Sequence, residues 1–312
     1  MRKAILLYNP VSGRRRNPAD VEAACAVLRE AGVEASSAPT RVAGDASEQV
    51  REAIAEGCDT VFACGGDGTI HDVLQGLVGT NTALGVIPLG TANALAHDLG
   101  LPLSPSAAAR FALTARPRRI AVGRIQYLDL QGSRQVRYFT VAVGVGVDGH
   151  MFYNLNATAK RWLGMAAYCA RATQLWLTHK MDKFAVAIPG HGDAQVTQLL
   201  AVRIRYFGGV LRELAPGASL QRDDLRLVLF HTRSRASYLG YVLRGLFGAR
   251  WKVPGIELVH SSAASCCALA QGSGARIFVE ADGELLGTLP VEISMAQDAV
   301  NILAPDVQRA PA

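Results

Sequence analysis

Short apolar runs alternate with segments of helical periodicity along the first third of the chain. In one segment Val21, Ala24 and Leu28 recur at helical spacing, with Pro18 at the predicted start and Gly32 past the end. Repeated strand and helix units of this kind predict a parallel, doubly wound α/β sheet. The predicted strands cover residues 3–8, 33–36, 60–64 and 83–87, and the predicted helices begin at residues 18, 47, 70 and 94.

Beyond Pro117 the pattern changes to β-branched runs separated by turns. This pattern predicts a mostly antiparallel β domain, interrupted by helices near 159–177 and 237–247. A final strand at 300–303 is expected to return to the first domain. The predicted organisation is an α/β domain over 1–122, completed by residues 297–312, and a β domain over 123–296. The strands of the β-rich part are predicted at 120–130, 136–147, 183–188, 196–206, 225–231, 256–260, 276–280 and 290–295.

The composition is that of a folded protein. Of 312 residues, 50% are hydrophobic and 19% charged, which suffices for a sizeable core. Six cysteines form no C-x-x-C pair and no ligand spacing with the histidines, so neither disulfides nor a zinc module is expected, and the cytoplasm is the expected compartment. Residues 73–96 carry no charge, but glycines and Pro88 interrupt them, so no spanning helix is expected.

The net charge of +6 is unevenly distributed along the chain. Residues 1–98 hold 8 Lys+Arg against 12 Asp+Glu, residues 99–252 hold 22 against 7, and residues 253–312 hold 2 against 7. A basic middle segment between acidic flanks indicates either a module that faces an anionic partner or an ordinary solvated basic surface. No nucleic-acid recognition motif accompanies it, so no nucleic-acid partner is expected.

The motif with the clearest chemistry is Gly65-Gly66-Asp67-Gly68-Thr69, between a predicted buried strand and a predicted helix. Glycines let the backbone come close to a bound group, and backbone N–H groups at a helix start bind anions. A carboxylate within an anion site is explained if a cation joins them, so Asp67 is expected to hold Mg²⁺ or orient a nucleotide. The alternative is an ordinary turn in which Asp67 caps the helix.

Two further loops follow predicted strands. Asn9 through Gly13, with Ser12 and the neighbouring Arg14, follows the first strand, and Pro88 through Asn93, with Thr91, follows the fourth. Each alone is a common turn, but a doubly wound sheet presents its ligand crevice at the strand ends. The three loops together therefore predict one phosphate-binding site.

Two other patterns are weaker signals. Residues 144–149 fit G-x-G-x-x-G, but no acidic residue follows about 20 positions later, which excludes the dinucleotide fingerprint. No P-loop sequence occurs. Asp282-Gly283-Glu284 is typical of a hairpin turn, and from the residues alone a solvated turn is the favoured interpretation.

Taken in order, these motifs resemble those of the diacylglycerol kinase catalytic-domain family, which includes bacterial lipid kinases and sphingoid-base kinases. The resemblance runs from Asn9–Gly13 through residues 65–69, 88–93 and 144–148 to residues 282–284, nearly the whole chain. It implies an ATP-binding, NAD-kinase-like α/β domain and a β-sandwich domain with the lipid site, the active site lying between them. The glycine-rich motif is shared with NAD kinases, whereas the order of all five is more specific.

The resemblance also implies roles for individual residues. Asp67 would lie near Mg²⁺, Glu284 would be the general base, and Asp282 would be its acidic neighbour. An alcohol is a poor nucleophile, so a positioned carboxylate that accepts its proton suits phosphoryl transfer. The residues expected to bind ATP are Asn9, Ser12, Gly13, Arg14, Thr40, Gly65, Gly66, Asp67, Gly68, Thr69, Thr91 and Asn93.

The chain departs from the family pattern in three places. Ala94 stands after Asn93 where the family has Asp, and His71-Asp72 replaces Asn-Glu after the glycine motif, as in the sphingoid-base branch. The Asp-Asp-Gly turn that often holds a structural Mg²⁺ is altered to residues 221–224, with Asp223 or Asp224 as the remaining candidate ligands. A second metal is therefore not expected.

The sequence thus predicts an ATP- and Mg²⁺-dependent kinase that phosphorylates diacylglycerol or a related lipid in phospholipid metabolism. The alternatives are a sphingoid-base kinase, an NAD kinase and a non-catalytic lipid- or nucleotide-binding regulator. Peripheral docking at the anionic inner face of a membrane is expected, and a homodimer is left open. The docking clusters are Lys160, Arg161, Trp162 and Leu163, and Arg250, Trp251 and Lys252.

Overall fold

A computed structural model describes residues 1–10, 18–41, 44–147, 177–178, 180–207, 213–248, 251–269 and 276–305. The chain forms two compact units. Unit 1 comprises Met1–Val122, Tyr206–Val210 and Ala296–Ala312, and unit 2 comprises Gly123–Arg205 and Leu211–Met295.

The elements of the first 115 residues alternate strand and helix until the last two helices. The strands are β1 (Lys3–Tyr8), β2 (Glu34–Pro39), β3 (Thr60–Gly65) and β4 (Ala83–Pro88), and the helices are α1 (Pro18–Glu30), α2 (Ala46–Ala55), α3 (Asp67–Leu77), α4 (Ala94–Asp98) and α5 (Pro105–Thr114).

The remaining elements are mostly strands. They are β5 (Arg116–Leu128), β6 (Arg134–Phe139), β7 (Ala142–Gly146), β8 (Phe184–Ile188), β9 (Gly192–Val196), β10 (Gln198–Val202), β11 (Leu225–Phe230), α6 (Arg235–Phe247), β12 (Ile256–Ser261), β13 (Ala263–Ala268), β14 (Phe278–Ala281) and β15 (Glu284–Ala304).

The sheet of unit 1 is parallel, in the order β15-β4-β3-β1-β2. Every residue of β3 and β4 is buried. Parallel strands covered on both faces have this property and read as continuous apolar runs. α1 and α5 pack against the face that presents Leu6 and Phe62, while α3 packs against β3 and β4 and also against α2.

Unit 2 is antiparallel. Its strands follow the order β12-β11-β10-β7-β14-β15. On one branch β13 pairs with β15, β8 with β13, and β9 with β8, and on another β5 pairs with β15 and β6 with β5. Alternate residues of these strands form one core that includes Phe139, Phe184, Leu227, Val279 and Ile293.

Several element predictions differ from the structure. Strands β9 and β13 were not predicted. Helix α5 was not predicted, although Pro105 and the alanines after it are typical of a helix start. The predicted strand 136–147 is two strands, since the chain turns at Thr140 and Val141. The separately predicted strands 290–295 and 300–303 belong to the single strand β15. The helix predicted near 159–177 lies largely outside the described residues.

Candidate active site

The parallel strands of unit 1 bring their carboxyl ends to one edge of the sheet. β1 pairs with β2 on one side and with β3 on the other. The connection after β1 therefore runs toward β2, whereas the connection after β3 runs toward β4 in the opposite direction. Sheets with this topology bind ligands in the crevice outside the diverging strand ends. Asn9 follows β1 and the glycine-rich loop begins at the end of β3, so both flank that position.

A buried side chain fixes the neighbouring end of β2. The Thr40 backbone N–H donates to the Tyr8 carbonyl at 2.8 Å, which places Thr40 beside Asn9. Gln49 of α2 is 7% exposed, and its Nε2 donates to the Pro39 carbonyl at 3.0 Å. Sequence reasoning missed this residue, whose only signal is an amide on the buried face of a helix.

The remaining residues of the first loop, Ser12, Gly13 and Arg14, lie outside the described residues. Their predicted contacts with a nucleotide therefore stay predictions.

The glycine-rich motif forms the transition from β3 to α3. Gly65 is the last residue of β3, Gly66 precedes the helix in extended conformation, and α3 begins at Asp67. Thr69 is 5% exposed and folds back over Gly65, where any Cβ would overlap its side chain. The start of this helix therefore directs backbone N–H groups, including that of Gly68, toward the crevice end of the sheet.

The loop after β4 contacts the glycine-rich motif backbone to backbone. A Cβ on Gly66 would lie 3.2 Å from the Gly90 Cα, and the Leu89 N–H donates to the Gly65 carbonyl at 3.0 Å. Asn93 is left-handed, with φ of 50°, and its side chain closes the loop on Gly90 through hydrogen bonds of 2.9 and 3.0 Å. Thus Asn93 shapes this loop, while Thr91 is exposed on it.

The Asp67 carboxylate lies where the two loops meet. Its Oδ1 accepts from the Leu95 N–H, at the first turn of α4, at 3.4 Å. Within the described residues, no group of three or more His, Cys, Asp or Glu side chains can hold a metal. Mg²⁺ in kinase sites takes one or two protein carboxylates and completes its shell with phosphates and water. Asp67 fits an ion of that kind as a single protein carboxylate.

In unit 2 the predicted hairpin turn joins β14 to β15. Asp282 and Gly283 both have positive φ, of 48° and 85°, as in a type I′ turn. The Asp282 carboxylate is 7% exposed and accepts from the N–H groups of Thr140, Val141 and Ala142 at 2.9–3.0 Å. Asp282 is therefore anchored to the turn between β6 and β7, and it positions Glu284, which is exposed.

A second acidic side chain supports the same turn. Glu280 is 6% exposed, and its carboxylate accepts from the Gly283 N–H at 3.0 Å. The sequence offered a weak signal for this residue, because it stands in the acidic run that ends at Glu284.

The altered segment 221–224 is held by a guanidinium. Arg203 is fully buried and donates to the carbonyls of Leu220, Arg222 and Asp224 at 3.3, 2.7 and 2.7 Å. The ion pair with Arg222 engages the Asp224 carboxylate and lowers the pKa of that group. The Arg203 guanidinium thus already binds three carbonyl oxygens of residues 220–224.

Of the two expected docking clusters, only part of one is described. Lys160, Arg161, Trp162, Leu163 and Arg250 lie outside the described residues, whereas Trp251 is 47% exposed and Lys252 is exposed. No helix in the described part of the chain is long and apolar enough to cross a membrane.

Known families match both parts of the chain. The diacylglycerol kinase catalytic domain matches residues 3–125, and the YegS C-terminal NAD kinase beta sandwich-like domain matches residues 141–304. The chain is 30% identical to the diacylglycerol kinase of Mycobacterium tuberculosis (strain H37Rv), over 97% of this chain and 95% of the relative. It is 26% identical to that of Bacillus subtilis (strain 168), over 98% and 97%.

Solved structures show the same fold. A diacylglycerol kinase from Bacillus anthracis superposes with a TM-score of 0.72 at 18% identity, covering 97% of each chain. Yeast NADH kinase complexed with NADH gives 0.53 at 11% identity, over 98% of this chain and 84% of that one.

The fold defines a class of proteins that combine an NAD-kinase-like α/β part with an NAD kinase beta sandwich-like part. Within that class, the chain belongs to the diacylglycerol kinase catalytic-domain family. The predicted fold class and family are thereby confirmed, and the chain is an enzyme of the lipid kinase class.

Proposed function

We propose that the protein transfers the γ-phosphoryl group of ATP to a hydroxyl of diacylglycerol or a related lipid, with Mg²⁺. One observation carries this proposal most. The start of α3 and the Gly66–Gly90 contact form a backbone cradle beside the switch point of a parallel sheet, in a chain of the lipid kinase class.

In this proposal the residues of unit 1 bind the donor. Backbone N–H groups at the start of α3 receive phosphate oxygens, and Asn9, Thr40 and Thr91 line the adjoining strand ends. Asp67 would hold a bound Mg²⁺, which when present neutralises the charge of the transferred group. The closed loop around Asn93 keeps the cradle rigid, so little reorganisation accompanies binding.

Glu284 is the proposed base, because a lipid hydroxyl must lose its proton as it attacks phosphorus. The side chain is exposed and therefore accessible to an acceptor, while Asp282 and Glu280 fix the backbone from which it projects. Asp282 is thus proposed as a positioning residue, with its carboxylate oxygens occupied by backbone donors.

The test is transfer of label from γ-labelled ATP to a lipid. Purified protein is incubated with Mg²⁺ and, separately, with diacylglycerol, a sphingoid base or NAD, and with EDTA in place of Mg²⁺. We expect labelled diacylglycerol or a related glycerolipid, and no product with EDTA. Label only in the sphingoid base, or only in NAD, would replace the proposed acceptor, and absence of any labelled product would overturn the proposal.

Glu284→Gln is expected to lower kcat by about 10²–10⁴-fold while leaving the Kd for ATP unchanged, because only the proton acceptor is lost. Glu292→Gln is the matched control, since Glu292 is exposed on the same strand and accepts from Gln126 Nε2 at 3.3 Å. Turnover by Glu284→Gln equal to that of Glu292→Gln would remove Glu284 as the base.

A further inference from the structure

Helix α6 presents an apolar stripe to solvent. Five of the eleven large apolar side chains that are exposed in the described part of the chain fall within residues 239–251. Those on the helix form a stripe about 140° wide at 3.6 residues per turn. They are Leu239, Val242, Leu243 and Phe247, which are 49%, 45%, 37% and 71% exposed, and Trp251 follows them.

The opposite face of α6 attaches the helix to unit 2. Tyr238, Tyr241, Arg244 and Gly245 are buried there, and the ring of Phe230 on β11 packs against both tyrosines at 4.5 and 5.2 Å. The usual pattern is thus reversed, since α6 buries rings with polar tips and a guanidinium while its aliphatic side chains face outward. A soluble protein seldom leaves a contiguous apolar surface of this kind without a partner.

Trp251 extends the same surface. Gly248, in left-handed conformation, ends α6. A Cβ on Gly240 of this helix would lie 3.8 Å from the Val253 side chain. Val253 therefore lies beside α6, and the exposed Trp251 precedes it by two residues. Tryptophan is the residue enriched where an apolar phase meets water.

The charged residues of the chain segment that contains the stripe all have one sign. Residues 225–256 contain five arginines and one lysine and no Asp or Glu. Arg235 is exposed at the start of α6, and Lys252 is exposed beyond its end. Arg233, just before the helix, is also exposed, and its Nε donates to the Met181 carbonyl at 3.1 Å. An apolar stripe flanked by cations matches the interface of an anionic bilayer, where each nearby cation adds to apolar burial.

We infer that α6 and Trp251 form a docking surface for an anionic lipid bilayer. The helix lies in the interface plane, its stripe inserts among acyl chains, and Arg233, Arg235 and Lys252 contact lipid phosphates. The biological purpose of this surface rests on the proposed function, because diacylglycerol resides in the bilayer. Binding to lipid, however, is measured without turnover.

The test is flotation with vesicles of phosphatidylcholine, with and without phosphatidylglycerol. We expect binding that requires phosphatidylglycerol and weakens as salt is raised. Phe247→Ser and Leu243→Ser are each expected to lower partitioning about tenfold, since each removes one buried apolar side chain. Lys252→Glu should also lower the partitioning, and more strongly at low salt than at high salt. The matched control is Val136→Ser, at an exposed valine of β6, which should bind as the wild type does.

Three results would overturn this inference. The first is wild-type protein that does not float with the vesicles. The second is equal flotation of Phe247→Ser and the control variant. The third is a wild-type dimer that Phe247→Ser converts to a monomer without a change in flotation. Light scattering reads the oligomeric state, and thermal melts verify that each variant is folded.

A separate readout distinguishes docking from catalysis. With a short-chain diacylglycerol that is monomeric in water, Phe247→Ser should phosphorylate at the wild-type rate, while its rate on vesicles falls about tenfold. A wild-type protein that floats but labels no lipid would contradict the proposed function and leave the docking surface intact.

Discussion

Asp282 and Glu284 stand two residues apart, yet their carboxylates have different surroundings. The oxygens of Asp282 accept from three backbone N–H groups of residues 140–142, and Glu284 is exposed at the start of β15. A buried carboxylate with three charge-assisted hydrogen bonds is a structural anchor. The two acids of the motif therefore differ, since Asp282 holds the turn and Glu284 lies at the surface.

This separation predicts different effects on stability. Asparagine tolerates the left-handed backbone of residue 282, so Asp282→Asn removes only the charge and one acceptor. We expect a loss of about 2–3 kcal/mol in the free energy of unfolding, because the backbone donors stay buried without the carboxylate. Glu284→Gln, at an exposed site, should change it by less than about 0.5 kcal/mol.

Urea unfolding of the two variants measures the difference. If Asp282→Asn is as stable as the wild type and yet inactive, Asp282 acts in the chemistry itself and the positioning role is wrong. The sequence cannot separate the two roles, because the partners of Asp282 lie about 140 residues away along the chain.

Among the elements, the transitions from β3 to α3 and from β4 to α4 depend on one another. Gly66 and Gly90 meet backbone to backbone, and Asn93 closes the second loop. Gly90 is the stricter of the two, because its Cβ would overlap the Gly66 Cα, whereas a Cβ on Gly66 would lie 3.2 Å from the Gly90 Cα. The phosphate cradle is thus a property of two loops together.

Gly90→Ala tests this dependence. The added Cβ would overlap the Gly66 backbone and lie 2.7 Å from Asn93 Oδ1, so the loops must move apart. We expect a loss of about 1–3 kcal/mol in the free energy of unfolding and weaker ATP binding in calorimetry. Gly240→Ala is the control, because its Cβ meets only Val253, at 3.8 Å, and alanine favours a helix by about 0.5–1 kcal/mol.

Wild-type ATP affinity and stability in Gly90→Ala would show that the two loops are independent. Gly240→Ala should leave ATP binding unchanged, and its stability should rise or stay level.

The sequence predicts buried strands well, but it predicts poorly those turns that a side chain from a distant part of the chain stabilises. β1, β3 and β4 were predicted within one residue, because strands buried on both faces are uninterrupted apolar runs between turn residues. The turn between β6 and β7 was missed because the carboxylate that anchors it belongs to Asp282. The stripe on α6 was missed because it shows only once the buried face of the helix is known.

For the whole molecule, the distribution of charge among regions is more informative than the net charge. The net charge of +15 on residues 99–252 includes the cations of α6 and two arginines of unit 2, Arg222 and Arg226. These arginines and His260, which follows that segment, surround the carboxylate of Asp224. Arg226 and His260 are cross-strand neighbours on β11 and β12, and His260 Nδ1 lies 3.3 Å from Asp224 Oδ2. Positive charge exceeds negative charge in this part of the fold.

The cluster predicts a loss of stability in mild acid. Burial, and next the Arg226 guanidinium, lower the pKa of His260, while Asp224 opposes them only in part. A lowered histidine pKa means that the unfolded chain takes up the proton first. The stability due to neutral His260 is therefore fully present above about pH 6.5, its unfolded pKa, and is lost as the pH falls from there to the folded pKa.

Asp224 adds a second and lower window. Its pKa is lowered, chiefly by the hydrogen-bonded Arg222, so its contribution is present above about pH 3.9 and is lost as the pH falls through the folded pKa. Urea midpoints measured between pH 7 and pH 5 thus report His260 and not Asp224. We expect the midpoint of the wild type to fall over this interval, and that of His260→Gln to fall less. Equal slopes for the two proteins would show that the cationic cluster does not penalise protonation of His260.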